Sequence, residues 1–263
     1  SSVYGNWING TGVTLGGVGT ITFAGRGSQT ITSAGITFTQ QIFLGSPGGT
    51  LQLQDALTTN RTAAGAFTLG TGTLDLNGKT LTVSGSAGAT FATGVGTKNL
   101  TFNGGTLVCT GTSATAFDNA SPTGFTTTAG TGTGTITFDG QGTGAGVLDF
   151  RLAATDFLAA SGDIQLKGNA NSLLFNSYAD GTSIGSRTGS LVTSSSSNVL
   201  LQSDIIDSQN NLSIVTRGTV LVQSAGTKFA SAQTFASGNF NLGTAVSSLQ
   251  IGKSTNTADV TLN

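Results

Sequence analysis

The chain has 263 residues and 26.1 kDa, with 41 Gly but 2 Pro, and its 10 Lys and Arg face 11 acidic residues that are all Asp. With no His and no Glu, a Ser-His-Asp triad, a Cys-His pair and a His-ligated metal site are excluded within one chain. A net charge of −1 with 8% charged residues leaves no basic stripe for nucleic acid and no Lys/Arg cluster for anionic lipid. Glu and Met, both good helix formers, are missing, while Thr, Ser, Val, Ile and Phe suit pleated, half-buried surfaces. The expected class is all-β.

The elements repeat one two-sided unit: apolar, any residue, apolar, then a polar residue and often Gly. At the N-terminus Tyr4, the lone Trp7 and Ile8 could cap one end. The unit then reads Ile21-Thr22-Phe23, Leu74-Asp75-Leu76, Leu81-Thr82-Val83, Leu100-Thr101-Phe102, Ile136-Thr137-Phe138, Ile164-Gln165-Leu166 and Leu249-Gln250-Ile251. Strict alternation over so few residues is the period of a half-buried strand, and the following Gly or Asn marks a turn. Many such strands with no helical stretch between them predict a stacked parallel β-solenoid.

Starts are 15 residues apart from Ile36 to Leu51, 19 from Leu81 to Leu100 and 11 from Phe125 to Ile136, and Ser113–Pro122 reads as an insertion bulging from a turn. Leu152–Ala160 breaks the cadence, as a short helix or a wider rung. It suggests a division into an irregular part, 1–152, and a more regular part, 153–263, within what could be one continuous domain. Ser194–Ser197 reads as a flexible loop. Farther on, Val220, Phe240 and Val260 recur at 20 residues, Leu200 lies one interval upstream, and Phe229 and Leu249 form an offset track. The predicted coil is therefore about 20 residues, giving about 13 rungs and a rod about 60 Å long at about 4.8 Å per rung.

Cys109 occupies an apolar slot in Leu107-Val108-Cys109; a buried small hydrophobe is the plain reading, a reactive thiol the alternative. Asp149, Asp156 and Asp163 with Arg151 nearby, and the pair Asp204 and Asp207, are the best carboxylate groups for divided acid and base roles. Asp is equally the standard turn residue, and that reading is preferred. Calcium at Asp204 and Asp207 is a lesser alternative, since the nonapeptide Gly-Gly-x-Gly-x-Asp repeat is missing. Thr-x-Thr pairs at Thr20, Thr30, Thr37, Thr80 and Thr135 would suit ice only if they shared one face, and cross-strand Thr ladders are the commoner cause. Sequons at Asn9, Asn60, Asn99, Asn119 and Asn211 are as many as a chain this rich in Ser and Thr produces by chance. No catalytic, cofactor or metal residue is assigned, and no enzyme activity is expected.

Gly72–Gly85, reading Gly-Thr-Leu-Asp-Leu-Asn-Gly-Lys-Thr-Leu-Thr-Val-Ser-Gly, resembles the strand repeat of bacterial autotransporter passenger domains. Asn211–Val222 is similar to rungs of filamentous-haemagglutinin-like exoproteins, and Gly19–Gly25 with Gln29–Gly35 to repeats of large bacterial surface proteins and phage structural proteins. The resemblance implies a right-handed parallel β-helix used in adhesion, filaments or surface layers, and it transfers no site residues. The functional expectation is a non-catalytic structural or adhesive segment of an extracellular, cell-surface fibre. It would form a homo-oligomer or polymer through exposed rungs, contact a glycan or cell-surface receptor, and insert into no membrane, since no apolar run approaches about 20 residues. The alternative is a virion component: a phage tail fibre or spike segment that binds or cleaves surface glycan. A start at Ser1 and a last strand, Val260-Thr261-Leu262, that stops in mid-pattern suggest a processed chain or a piece of a longer one.

Overall fold

Alternation decides which way each side chain points. Thr20–Phe23 buries Ile21 and Phe23, Thr80–Gly85 buries Leu81 and Val83, and Thr219–Gln223 buries Val220 and Val222, with half-exposed residues between them. Successive side chains of a strand leave opposite faces of the sheet, so every second position can line a common interior. A computed structural model of the chain describes residues 1–111, 115–118, 124–132, 135–140, 147–152, 156–160, 162–177, 189–193, 196–208 and 212–263. Among the described residues there is no helix and every strand pairing is parallel, so the chain is a β-solenoid.

Each turn carries three faces. Face A is followed through the register Ser2, Thr22, Phe43, Thr68, Ala92, Asp118, Asp149, Leu174 and Asp207. Face B runs through Ser28, Thr50, Thr73, Asn99 and Thr126. Face C runs through Leu57, Leu81, Leu107, Phe138, Leu166, Leu201, Val222 and Ile251. Some strands bend through a corner and serve two faces, as Gln41–Leu53 does for A and B.

The eight steps along face A average about 26 residues, which corrects the 20-residue coil and reduces the number of rungs expected. The three equally spaced strands prove not to stack on one another. Val220 pairs with Val199 and Leu249 on face C, Phe240 pairs with Leu212 in the continuation of face B, and Val260 pairs with Gln233. In this part of the chain a turn takes 21 to 29 residues, so a step of 20 lands on a neighbouring face. Part of the supposed insertion is also a rung strand: Thr115–Asp118 stacks between Ala89–Thr93 and Val147–Leu152, while 113–114 and 119–122 lie outside the described residues. In the stretch that breaks the cadence, Asp156–Ala160 is a strand paired with Gly189–Thr193. In the proposed loop at 194–197, residues 194 and 195 lie outside the described residues.

Inward ladders make the core. Phe67 stacks on Phe91 with centroids 5.4 Å apart and planes 1° off parallel, and Phe91 stacks on Phe117 at 5.5 Å. Phe138 then meets Phe117 edge-on at 4.9 Å and Phe102 at 5.4 Å. Stacking on a like residue one turn away buries each ring fully, and each buried side chain of this size stabilises the fold by about 1.5–3 kcal/mol. Trp7 joins this interior against Phe38 at 6.0 Å, while Tyr4 and Ile8 are exposed.

Candidate ligand-binding groove on the polar face

The outward positions of face B form two columns in rung register: Ser28, Thr50, Thr73, Asn99 and Thr126, and beside them Thr30, Gln52, Asp75, Thr101 and Thr128. Every member carries a hydroxyl, carboxamide or carboxylate. Their mutual bonds hold them in place. Gln52 Nε2 donates to Asp75 Oδ2 at 2.9 Å, Asn99 Nδ2 to Thr101 Oγ1 at 2.8 Å, and Thr126 Oγ1 to Asn99 Oδ1 at 2.9 Å.

The corner between faces A and B is built from Gly, and the missing side chains leave a dent at the edge of the polar columns. A Cβ on Gly72, whose φ is 93°, would overlap the Ser46 carbonyl oxygen of the turn above. The resulting groove has a volume of about 310 Å³ and crosses successive turns, from Pro47 and Gly48 through Thr71 and Thr73 to Lys98, Asn99 and Thr126. That volume lies at the low end of ligand-sized cavities.

Lys98 stands where the alternation calls for an apolar residue: it is buried in the row that continues with Leu100. Its Nζ turns back to the corner and donates to the Gly96 carbonyl at 2.8 Å. Burial lowers its pKa from 10.5 to about 8, because the charged amine loses water it cannot fully replace. Thr71, in the groove wall, has an enclosed hydroxyl with no hydrogen-bond partner. Its accessible surface is below 1 Å², so the hydroxyl is sealed inside the wall and not open to the groove.

The residues singled out in the sequence lie elsewhere. The backbones of Asp149 and Asp156 stand on strands of faces A and B, and Asp163 precedes the face C strand Ile164–Ser177, so the three are spread around one turn. The side chains of Asp149, Asp156 and Arg151 lie outside the described residues. Asp163 Oδ1 accepts from the Asn198 N–H at 2.8 Å, and Asp204 Oδ1 accepts from Ala225 and Gly226 at 3.0 and 3.1 Å. Both act as turn-bracing carboxylates between rungs. Among the described residues no three His, Cys, Asp or Glu gather at metal-binding range. Cys109 is fully buried in the ladder between Val83 and Gly140, and burial, with Asp139 second, pushes its thiol far above the ordinary value. Asn9 is buried, with its amide donated to the Ser33 carbonyl, and Asn119 and Asn211 lie outside the described residues. The Thr-x-Thr pairs are divided among faces, Thr20 and Thr22 on A, Thr30 on B and Thr80 and Thr82 on C.

Sequence reasoning missed Lys98, Thr71 and the columns beside them. The signal available was Lys98 itself, a cation in an apolar slot directly after a Gly-x-Gly-x corner. No family model, no curated protein and no solved structure matches the chain.

Proposed function

We propose that this chain is a non-catalytic structural and adhesive segment of an extracellular surface fibre. The observation that carries this reading is face B, where hydroxyl and carboxamide groups repeat in register at every turn over five rungs. Such a face offers a long or repetitive partner one further contact per rung, so weak single contacts add up along the rod. The resemblance of Gly72–Gly85 to autotransporter passenger repeats, and of Asn211–Val222 to filamentous-haemagglutinin-like rungs, supports the same reading. Low charge supports self-association, because little repulsion opposes the approach of two copies.

Negative-stain electron microscopy of the purified chain across a concentration series tests the assembly part. Filaments of uniform width are expected. Short separate rods at every concentration would overturn self-assembly and leave adhesion to be tested alone.

A further inference from the structure

The sequence holds three Asn-Gly pairs, Asn9-Gly10, Asn77-Gly78 and Asn103-Gly104, and the fold sets all three on the corner between faces B and C. Such a pair is open to deamidation, because glycine leaves its own backbone nitrogen unshielded. That nitrogen attacks the asparagine Cγ and loses its proton to solvent, a ring closes, and the carboxamide nitrogen leaves as ammonia. Water then opens the succinimide at either carbonyl, giving aspartate or isoaspartate. Gly10, Gly78 and Gly104 are all exposed, so water reaches each pair. We propose that Asn77 is the modification site among the three, the position at which the folded rod deamidates spontaneously.

Backbone geometry does not separate Asn77 from Asn103. Asn77 and Gly78 have φ of 49° and 71°, Asn103 and Gly104 of 47° and 82°. Each pair is closed by one turn bond, from the Lys79 N–H to the Leu76 carbonyl at 2.8 Å and from the Gly105 N–H to the Phe102 carbonyl at 2.7 Å. Both are the left-handed two-residue turn in which Asn-Gly is the preferred pair. To react, the side chain must swing its Cγ onto the glycine nitrogen. Whatever pins the carboxamide therefore slows the reaction.

The three carboxamides are held unequally. Asn103 is pinned at both ends, by the turns on either side of it. Its Nδ2 donates to Asp75 Oδ1 at 2.7 Å, and its Oδ1 accepts from the Thr131 N–H at 2.8 Å and the Thr131 hydroxyl at 3.3 Å. A Cβ on Gly130 would fall on that same Oδ1, so the carboxamide fills the space that glycine leaves. Asn9 is buried and likewise pinned, its Nδ2 donating to the Ser33 carbonyl at 3.1 Å and its Oδ1 accepting from Trp7 Nε1 at 2.8 Å. Asn77 is tied at one end. Its Nδ2 donates to the Leu53 carbonyl at 2.9 Å, and among the described residues its Oδ1 accepts no hydrogen bond. One hydrogen bond more, charge-assisted at Asp75, holds a side chain back by about tenfold in rate. Conversion at Asn77 also removes the donor to Leu53, which ties its turn to the one before.

The test is peptide mapping by mass spectrometry, with isoaspartate detection, of the full chain kept folded and kept in denaturant at mildly alkaline pH. In denaturant the three pairs should convert at similar rates, since each is Asn-Gly. In the folded chain Asn77 should convert at least tenfold faster than Asn9 or Asn103. Trp7→Phe, which removes the donor to Asn9 Oδ1, should speed Asn9 at least threefold and leave Asn77 unchanged. Should Trp7→Phe fail to fold, the order of rates in the wild type decides. Equal folded rates at Asn77 and Asn103 overturn the proposal, and so does an Asn77 that stays intact in the folded chain while the denatured chain converts. A folded Trp7→Phe chain with Asn9 no faster overturns pinning as the cause, and the assignment of Asn77 with it.

Discussion

The two corners that flank face B close the same chain in opposite ways. Between A and B, side chains are removed: a Cβ at Gly49 would overlap the Gly25 carbonyl oxygen, and one at Gly94 would lie 2.9 Å from the Gly70 Cα. Between B and C, side chains are added and tied from turn to turn. Asn9 donates to the Ser33 carbonyl, Asp55 accepts from the Ser33 and Ala34 N–H groups, and Asn77 donates to the Leu53 carbonyl. Asn103 then donates to Asp75 and accepts from the Thr131 N–H. Both corners need left-handed backbone, supplied by Gly72 on one side and by the pairs Asn77-Gly78 and Asn103-Gly104 on the other. The glycine corner between A and B carries the groove, and the corner between B and C carries the hydrogen-bonded brace.

Substitutions at the two corners should differ in size and in kind. Gly72→Ala meets both a backbone oxygen and an unfavourable φ, and should cost about 2–4 kcal/mol in denaturant unfolding. A loss under about 1 kcal/mol would break the steric account of that corner. Asn103→Ala loses its bonds to Asp75 and Thr131 and sets Ala at a φ near 47°, for an expected cost of about 1–2 kcal/mol. Asn103→Gly should recover the backbone share and keep only the cost of the lost bonds. Equal losses in the two variants would mean that φ, and not bracing, is irrelevant there.

A third effect, read in its pH dependence, concerns Lys98. Its folded pKa of about 8 lies below the ordinary 10.5, so between those values the unfolded chain holds a proton that the folded chain has released. Stability then rises with pH across that window through this residue. Cys109, shifted upward by burial, acts in the opposite sense above its ordinary 9.0. Comparing wild type with Lys98→Met at each pH cancels the cysteine, and the wild type should gain relative to the variant from pH 8 to 10.5. A constant difference would show that Lys98 is well solvated at the groove.

Much of the fold was legible. The strands at Ile21–Phe23, Leu81–Val83 and Val220–Val222 follow from alternation alone, and the asparagine turns at Asn77 and Asn103 from the residue types that tolerate left-handed backbone. The coil length was not. Leu74-Asp75-Leu76 belongs to face B and Leu81-Thr82-Val83 to face C, yet the two read alike, so a period counted between similar motifs mixes faces with turns. The groove was legible only through Lys98, whose neighbours Pro47, Thr71 and Thr126 come from other turns.

What the sequence determined by itself is the local rule: which residues point inward, where the chain must bend, and that the result is all-β. Alternation and turn chemistry act over a few residues, so they are written in a few residues. The tertiary structure alone decided which strand lies on which, at steps from 20 to 33 residues along face A, and which hydroxyls stand side by side on face B. Stacking partners are chosen by the fit of whole rungs, including turns of unequal length. That choice is a property of the assembled rod and of no single segment.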